Sequence, residues 1–327
     1  MKYVYVLVSG DTDFFYEQCY LSLASLRIYN PTAEVILLVD TETKAGLSGR
    51  RSGCEKLASS IITVSSPNGL TRKETSRFIK TSMRRYIEGN FLYIDCDTVI
   101  CGSLDCDFPE NIIIGAIPDC HVPLREHHYY RQFVDENLRL GFDFILTCSN
   151  YYNGGIIYCK DTPESHSFFE KWHALWNICR KEGNSQDMPS FNRANYELHN
   201  MISEIGGEWN CQISNNGLPF LHRAKIIHYF ATSLVYITSP LLLASEPALL
   251  AIRNTGDIPS WLYQKLHDAK SAFEPRSRII ADKDVLELLD GSIFSMLRRL
   301  KKGHKSLFNT LESMAYRLIS LLKKTKF

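Results

Sequence analysis

At 327 residues, 45% hydrophobic and 22% charged, the chain has enough apolar material for a large core, which excludes an intrinsically disordered protein. The formal charge of +1 argues against nucleic-acid binding by the whole surface, although nine Lys/Arg against the single acid Glu312 make residues 291–327 strongly basic. No stretch reaches the roughly 18 apolar residues of a spanning helix and the N-terminal run is too short for a signal peptide, so a cytoplasmic chain with ten reduced cysteines, mostly small buried hydrophobes, is expected.

Taken in order, the apolar, β-rich runs predict strands over 3–9, 34–39, 60–64, 91–94, 112–117, 156–159 and 226–229. Helical periodicity over 14–29 ends at Asn30-Pro31, and a second helix over 71–88 is expected to end at Gly89. Alternating strands and helices imply an α/β layer fold with a mixed, mostly parallel sheet flanked by helices. In such sheets ligands bind beyond the carboxyl ends of the strands, where Ser9, Gly10, Asp40 and Asp95 emerge. Past about 239 the pattern becomes helical, which predicts a catalytic domain over 1–238 and a helical C-terminal region over 239–327. The last stretch, 294–326, places leucines among Lys and Arg with a break at Gly303, and two such short amphipathic helices suit an anionic membrane surface.

The chemistry centres on Asp95-Cys96-Asp97, which ends the apolar run Phe91-Leu92-Tyr93-Ile94 abruptly. Two carboxylates two residues apart can reach one hard cation, Mg²⁺ or Mn²⁺. Such an ion stabilises the charge that develops on a departing diphosphate. His228 ends another apolar run and offers a neutral imidazole as a third ligand. Arg77 and Lys80 share one helix face, at i and i+3, just before the motif.

In order and spacing these segments resemble the retaining GT-A glycosyltransferases of family 8, which include bacterial lipopolysaccharide galactosyl- and glucosyltransferases. The resemblance runs over about residues 2–230. It is carried by Val8-Ser9-Gly10, by Arg77, by Asp95-Cys96-Asp97 with Gly102-Ser103-Leu104 after it, by Asn153-Gly154-Gly155, by Asp187-Met188-Pro189-Ser190-Phe191-Asn192, and by Ile226-Ile227-His228. It implies a GT-A, Rossmann-like fold and retaining transfer of a hexose from a UDP-sugar to a glycan or lipid-linked acceptor, in lipopolysaccharide biosynthesis or a related process on the inner face of the plasma membrane. In that assignment Asp95, Asp97 and His228 hold Mn²⁺ or Mg²⁺. Val8, Ser9, Gly10, Asp40, Arg77, Lys80, Gly154 and Gly155 seat the donor, and Asn153 and Asp187 contact the transferred sugar.

Two departures stand out. Met188 occupies the position of the family's glutamine and offers no useful hydrogen bond. The lysine expected after His228 is absent from Ala231-Thr232-Ser233-Leu234-Val235. These keep open a non-catalytic nucleotide-sugar or carbohydrate binder on the same fold. A haloacid-dehalogenase-like phosphatase also fits Asp95-x-Asp97, but lacks a downstream acidic pair. His121, His127 and His128 fall where an acceptor loop is expected.

Overall fold

The first strand, β1 (Lys2–Leu7), is buried at every residue after Lys2, the signature of a strand covered on both faces. The computed structural model describes residues 1–105, 107–230, 242–273 and 291–324, with side chains followed to 318. After β1 come α1 (Phe15–Tyr29), β2 (Glu34–Val39), α2 (Thr41–Gly46), α3 (Gly53–Leu57), β3 (Ser60–Thr63) and α4 (Arg72–Ser82). Next are β4 (Phe91–Ile94), β5 (Thr98–Ile100), β6 (Ile114–Pro118), α5 (Tyr130–Arg139), β7 (Tyr152–Cys159), α6 (Pro163–Lys181) and α7 (Met188–Glu197). Short strands β8 (Ile202–Glu204), β9 (Cys211–Gln212) and β10 (Ile226–His228) follow, then α8 (Glu246–Thr255), α9 (Ser260–Leu266), α10 (Ser292–Gly303) and α11 (Lys305–Lys324).

Seven strands form one sheet in the order β3-β2-β1-β4-β7-β6-β8. Its pairs are parallel except where β7 lies antiparallel to β4 and β6. This is the mixed, mostly parallel sheet flanked by helices that the sequence predicts. Alternation along β1 sends Tyr3, Tyr5 and Leu7 to one core, shared with α1, and Val4, Val6 and Val8 to another, shared with Ile79 of α4 and Phe168 and Trp172 of α6. A small second sheet, β5-β10-β9, pairs His228 with Thr98. That register brings the end of β10 against the turn between β4 and β5.

The helix predicted over 71–88 ends as an α-helix at Ser82 and continues only as a 3₁₀ turn, Met83–Arg85. The Ser82 hydroxyl bonds back to the Phe78 carbonyl at 2.7 Å, a local competition that loosens a helix end, and Met83 turns fully into the core. The strand predicted from Ile156 begins earlier, at Tyr152, so Asn153-Gly154-Gly155 lies within it.

The described chain separates into two compact units, residues 1–276 and 277–327. The first contains α8 and α9; the second contains α10 and α11, with the break after Gly303 where the sequence places it. The domain boundary expected at 238 and the segment 231–235 lie outside the described residues. Among the described residues no helix is long and apolar enough to cross a membrane.

Candidate active site

The strand β4 delivers Asp95 and Asp97 where the sheet ends, and the Asp95 amide donates to the Gly155 carbonyl of β7 at 2.8 Å. From the second sheet, β10 delivers His228. Ligand atoms of Asp95, Asp97 and His228 lie within 4.8 Å of one another.

His228 is buried, with Nδ1 3.0 Å from Asn210 Oδ1 and Nε2 3.3 Å from Asp97 Oδ1. Asn210 is oriented by its own amide donating to Asn153 Oδ1 at 3.1 Å, so its oxygen faces the imidazole and accepts from Nδ1. The Nε2 lone pair of a neutral imidazole therefore meets a carboxylate oxygen, an arrangement that needs a proton or a cation between the two. Burial pushes the His228 pKa down, but the Asp97 charge outweighs it and raises it above the ordinary value. Two carboxylates and an imidazole with a hydrogen-bonded outer nitrogen fit Mn²⁺ or Mg²⁺ in donor type and support.

A second charge cluster lies beside the first. Lys80 is buried, with Nζ 2.7 Å from Asp187 Oδ2 and 3.3 Å from Asp95 Oδ1. Arg77 reaches Asp187 Oδ1 at 3.1 Å. Burial pushes the Asp187 carboxyl up, yet Arg77 and Lys80 overcome this and hold it well below the usual carboxylate range. Asp187 is thus a poor proton acceptor and serves as the anchor of the two cations. Tyr93, two residues before Asp95 on the same strand, donates its hydroxyl to Asp95 Oδ1.

A cavity of about 390 Å³ opens over Asp95, Asp97, Tyr93 and Arg77. Val6, Val8, Phe15 and Gln18 make one side; Arg72, Lys73, Ser76 and Arg77 of α4 make another; Asp95, Cys96 and Asp97 form the polar end. Of the donor-site residues expected from the sequence, Val8 and Arg77 line it directly, while Lys80 sits behind. Gly154 faces Asp187 and Lys80, and Gly155 lies against the His228 ring. Ser9 and Gly10 are engaged beside the cavity, where Ser9 Oγ donates to Asp13 at 2.6 Å and Arg51 donates to both residues. Asp40 caps α2, accepting from the Thr43 amide at 3.0 Å. Asn153 is committed to Asp119, Asn210 and the Gly155 amide, and so supports His228.

No protein-family model and no curated protein matches the sequence. Among solved structures, mouse xyloside xylosyltransferase 1 covers 72% of this chain and 99% of its own at 13% identity and a TM-score of 0.47. The bifunctional glycosyltransferase WbbM covers 82% and 51% at 14% identity and 0.49. The galactosyltransferase LgtC, solved with donor and acceptor sugar analogues, covers 86% and 98% at 14% identity and 0.47. These neighbours are all glycosyltransferases. At such identities and scores the likeness assigns no residue here.

Tyr93, Asp119 and Asn210 escaped the sequence reading. Tyr93 was within reach, since it shares the strand face of Asp95 at a spacing of two. Lys73 was also legible, one turn before Arg77 on the same helix face. Asp119 and Asn210 carry no local signal.

Proposed function

We propose that this chain is a metal-dependent glycosyltransferase acting on a nucleotide sugar. The observation that carries the reading is the meeting of Asp95, Asp97 and His228 with the Arg77, Lys80 and Asp187 cluster beside a cavity that Asp95, Asp97 and Arg77 line at the carboxyl end of the central strand β4. Asp95, Asp97 and His228 would hold Mn²⁺ or Mg²⁺, which supplies charge stabilisation for a diphosphate leaving group. Arg77, placed on the cavity wall by its ion pair with Asp187, adds a fixed positive charge for the same anion. Lys73 and Arg72 extend that positive face along α4, and the apolar side at Val6, Val8 and Phe15 suits a nucleobase.

By the resemblance the donor is a UDP-sugar, the transferred unit a hexose, the outcome retention, and the acceptor a glycan or lipid-linked saccharide. In the second unit, the exposed Ile293, Met296, Leu307 and Met314 interleaved with Lys and Arg support a peripheral contact with an anionic membrane by α10 and α11. Met188, which begins α7 and packs against the core, favours the non-catalytic binder as the second reading.

Calorimetric titration with UDP and with UDP-glucose, UDP-galactose and UDP-N-acetylglucosamine, each with Mn²⁺ and with chelator, tests the donor site. Metal-dependent binding is the expected result. Absence of binding to all four overturns the donor assignment, and binding without turnover across an acceptor screen selects the second reading.

A further inference from the structure

The loop that follows β6 carries a second set of ligating side chains. Ligand atoms of Cys120, His127 and His128 lie within 4.8 Å of one another, with Cys120 and His127 buried and His128 half-buried. We infer that these three residues form a metal site of their own, for a thiolate-binding ion of the zinc class.

The donor set separates this site from the first. A thiolate with two imidazoles selects borderline or soft ions, whereas the carboxylates of Asp95 and Asp97 select hard ones. The loop is also built to present these groups. Cys120 and His121 both lie in the left-handed region at φ 56°, a costly conformation for side-chain-bearing residues. It is fixed by the Cys120 amide donating to Gln212 Oε1 at 2.7 Å and by Asn216 Nδ2 donating to the Cys120 carbonyl at 3.1 Å.

His127 has the outer support typical of a metal-bound imidazole, with Nε2 3.1 Å from Asp119 Oδ2. Its Nδ1 accepts the Tyr129 amide at 3.0 Å, so an ion bound through Nδ1 replaces that hydrogen bond. Three protein ligands leave a fourth position open, and the partial exposure of His128 gives an entry path. Asp119 also accepts from Asn153 at 2.8 Å, and Asn153 leads through Asn210 to His228. The two sites thus share one support.

Cobalt(II) chloride is a suitable probe, because only thiolate ligation gives it a charge-transfer band in the near ultraviolet. The full chain, anaerobic and kept reduced with a phosphine, is expected to develop that band with cobalt and lose it to added zinc. Cys120→Ser should abolish the band, and His128→Gln should weaken cobalt binding about tenfold or more. Asp97→Asn and Cys96→Ser, altered in the first site, should both retain it. No band in the parent chain, or a band kept in Cys120→Ser and lost in Cys96→Ser, overturns the assignment. Should Cys120→Ser fail to fold, unchanged cobalt affinity in His128→Gln overturns it instead. Neither readout depends on transferase activity.

Discussion

Gly155 sets the distance between β7 and the His228 ring, and Gly155→Ala is the sharpest perturbation of the first metal site that leaves its ligands chemically intact. A β-carbon at 155 would stand 2.3 Å from His228 Cε1 and 2.8 Å from Nδ1. Carbon atoms settle near about 3.5 Å, so roughly 1.2 Å must be found by movement. The ring is stacked on Phe230 with centroids 4.2 Å apart, and Asp97 faces its Nε2 at 3.3 Å, so it has little room to slide in place. Backbone strain is not at issue, because Gly155 lies outside the left-handed region that only glycine adopts easily. If the β7 backbone yields the room, overpacking costs about 1–3 kcal/mol; if His228 moves by about 1 Å, it leaves the roughly 0.2 Å tolerance of a metal–ligand distance.

The variant should therefore stay folded and lose Mn²⁺ affinity by about 10- to 100-fold, the range found when ligand positioning is disturbed. Calorimetric Mn²⁺ titration and thermal unfolding would be read on Gly155→Ala, His228→Ala and the double variant. Because both changes act on one ligand, their effects should be far from additive. Parental Mn²⁺ affinity in a folded Gly155→Ala, or full additivity in the double variant, would refute the assignment of His228 as a ligand held by this contact.

Asp97→Asn should abolish metal-dependent donor binding with little change in thermal stability, and should lower the His228 pKa seen by NMR, since the Asp97 charge holds it up. Asp187→Asn should destabilise the fold by about 3–5 kcal/mol in denaturant titration, because Arg77 and the buried Lys80 lose their shared partner. Burial lowers the His173 pKa from 6.5 to about 4, so the unfolded chain takes up this proton first on acidification. Stability is fully present above about 6.5 and falls by up to about 3 kcal/mol toward pH 4; His173→Gln should flatten that acid limb in pH-dependent unfolding. Mn²⁺ binding below the raised His228 pKa should release a proton, detected as a buffer-dependent calorimetric enthalpy that Asp97→Asn removes.

The legible part of this molecule is the part written in contiguous residues. Val35 to Val39 and Phe91 to Ile94 read as buried strands because both faces are covered, and the abrupt carboxylates after Ile94 mark a sheet end. Asn153-Gly154-Gly155 falls outside the strand predicted from Ile156 because its glycines weaken a strand signal. The strand tolerates them, and Gly155 is needed so that His228 can lie against the backbone. Ser9 and Asp40 emerge at strand ends, but Ser9 is committed to Asp13 and to Arg51 of a later segment, which local pattern does not reveal, and Asp40 serves as the N-cap of α2 through the Thr43 amide. Asn210 belongs to the site only because β9 and β10 pair in parallel after a loop, a tertiary event with no periodic trace.

The charges of the site explain why metal and nucleotide should bind together. Among its buried and half-buried groups, the carboxylates of Asp95, Asp97 and Asp187 face the cations Arg77 and Lys80. With His228 neutral, the cluster carries one net negative charge and repels a diphosphate. A divalent ion inverts the sign to one net positive charge in a partly desolvated setting, where such a change counts for much more than in water. Lys80 already bridges Asp95 and Asp187, so the cationic half of the site is organised before any ligand arrives. The ion's contribution is then to reverse the field at Asp95 and Asp97, and the nucleotide's diphosphate is the group whose affinity must depend on it most steeply.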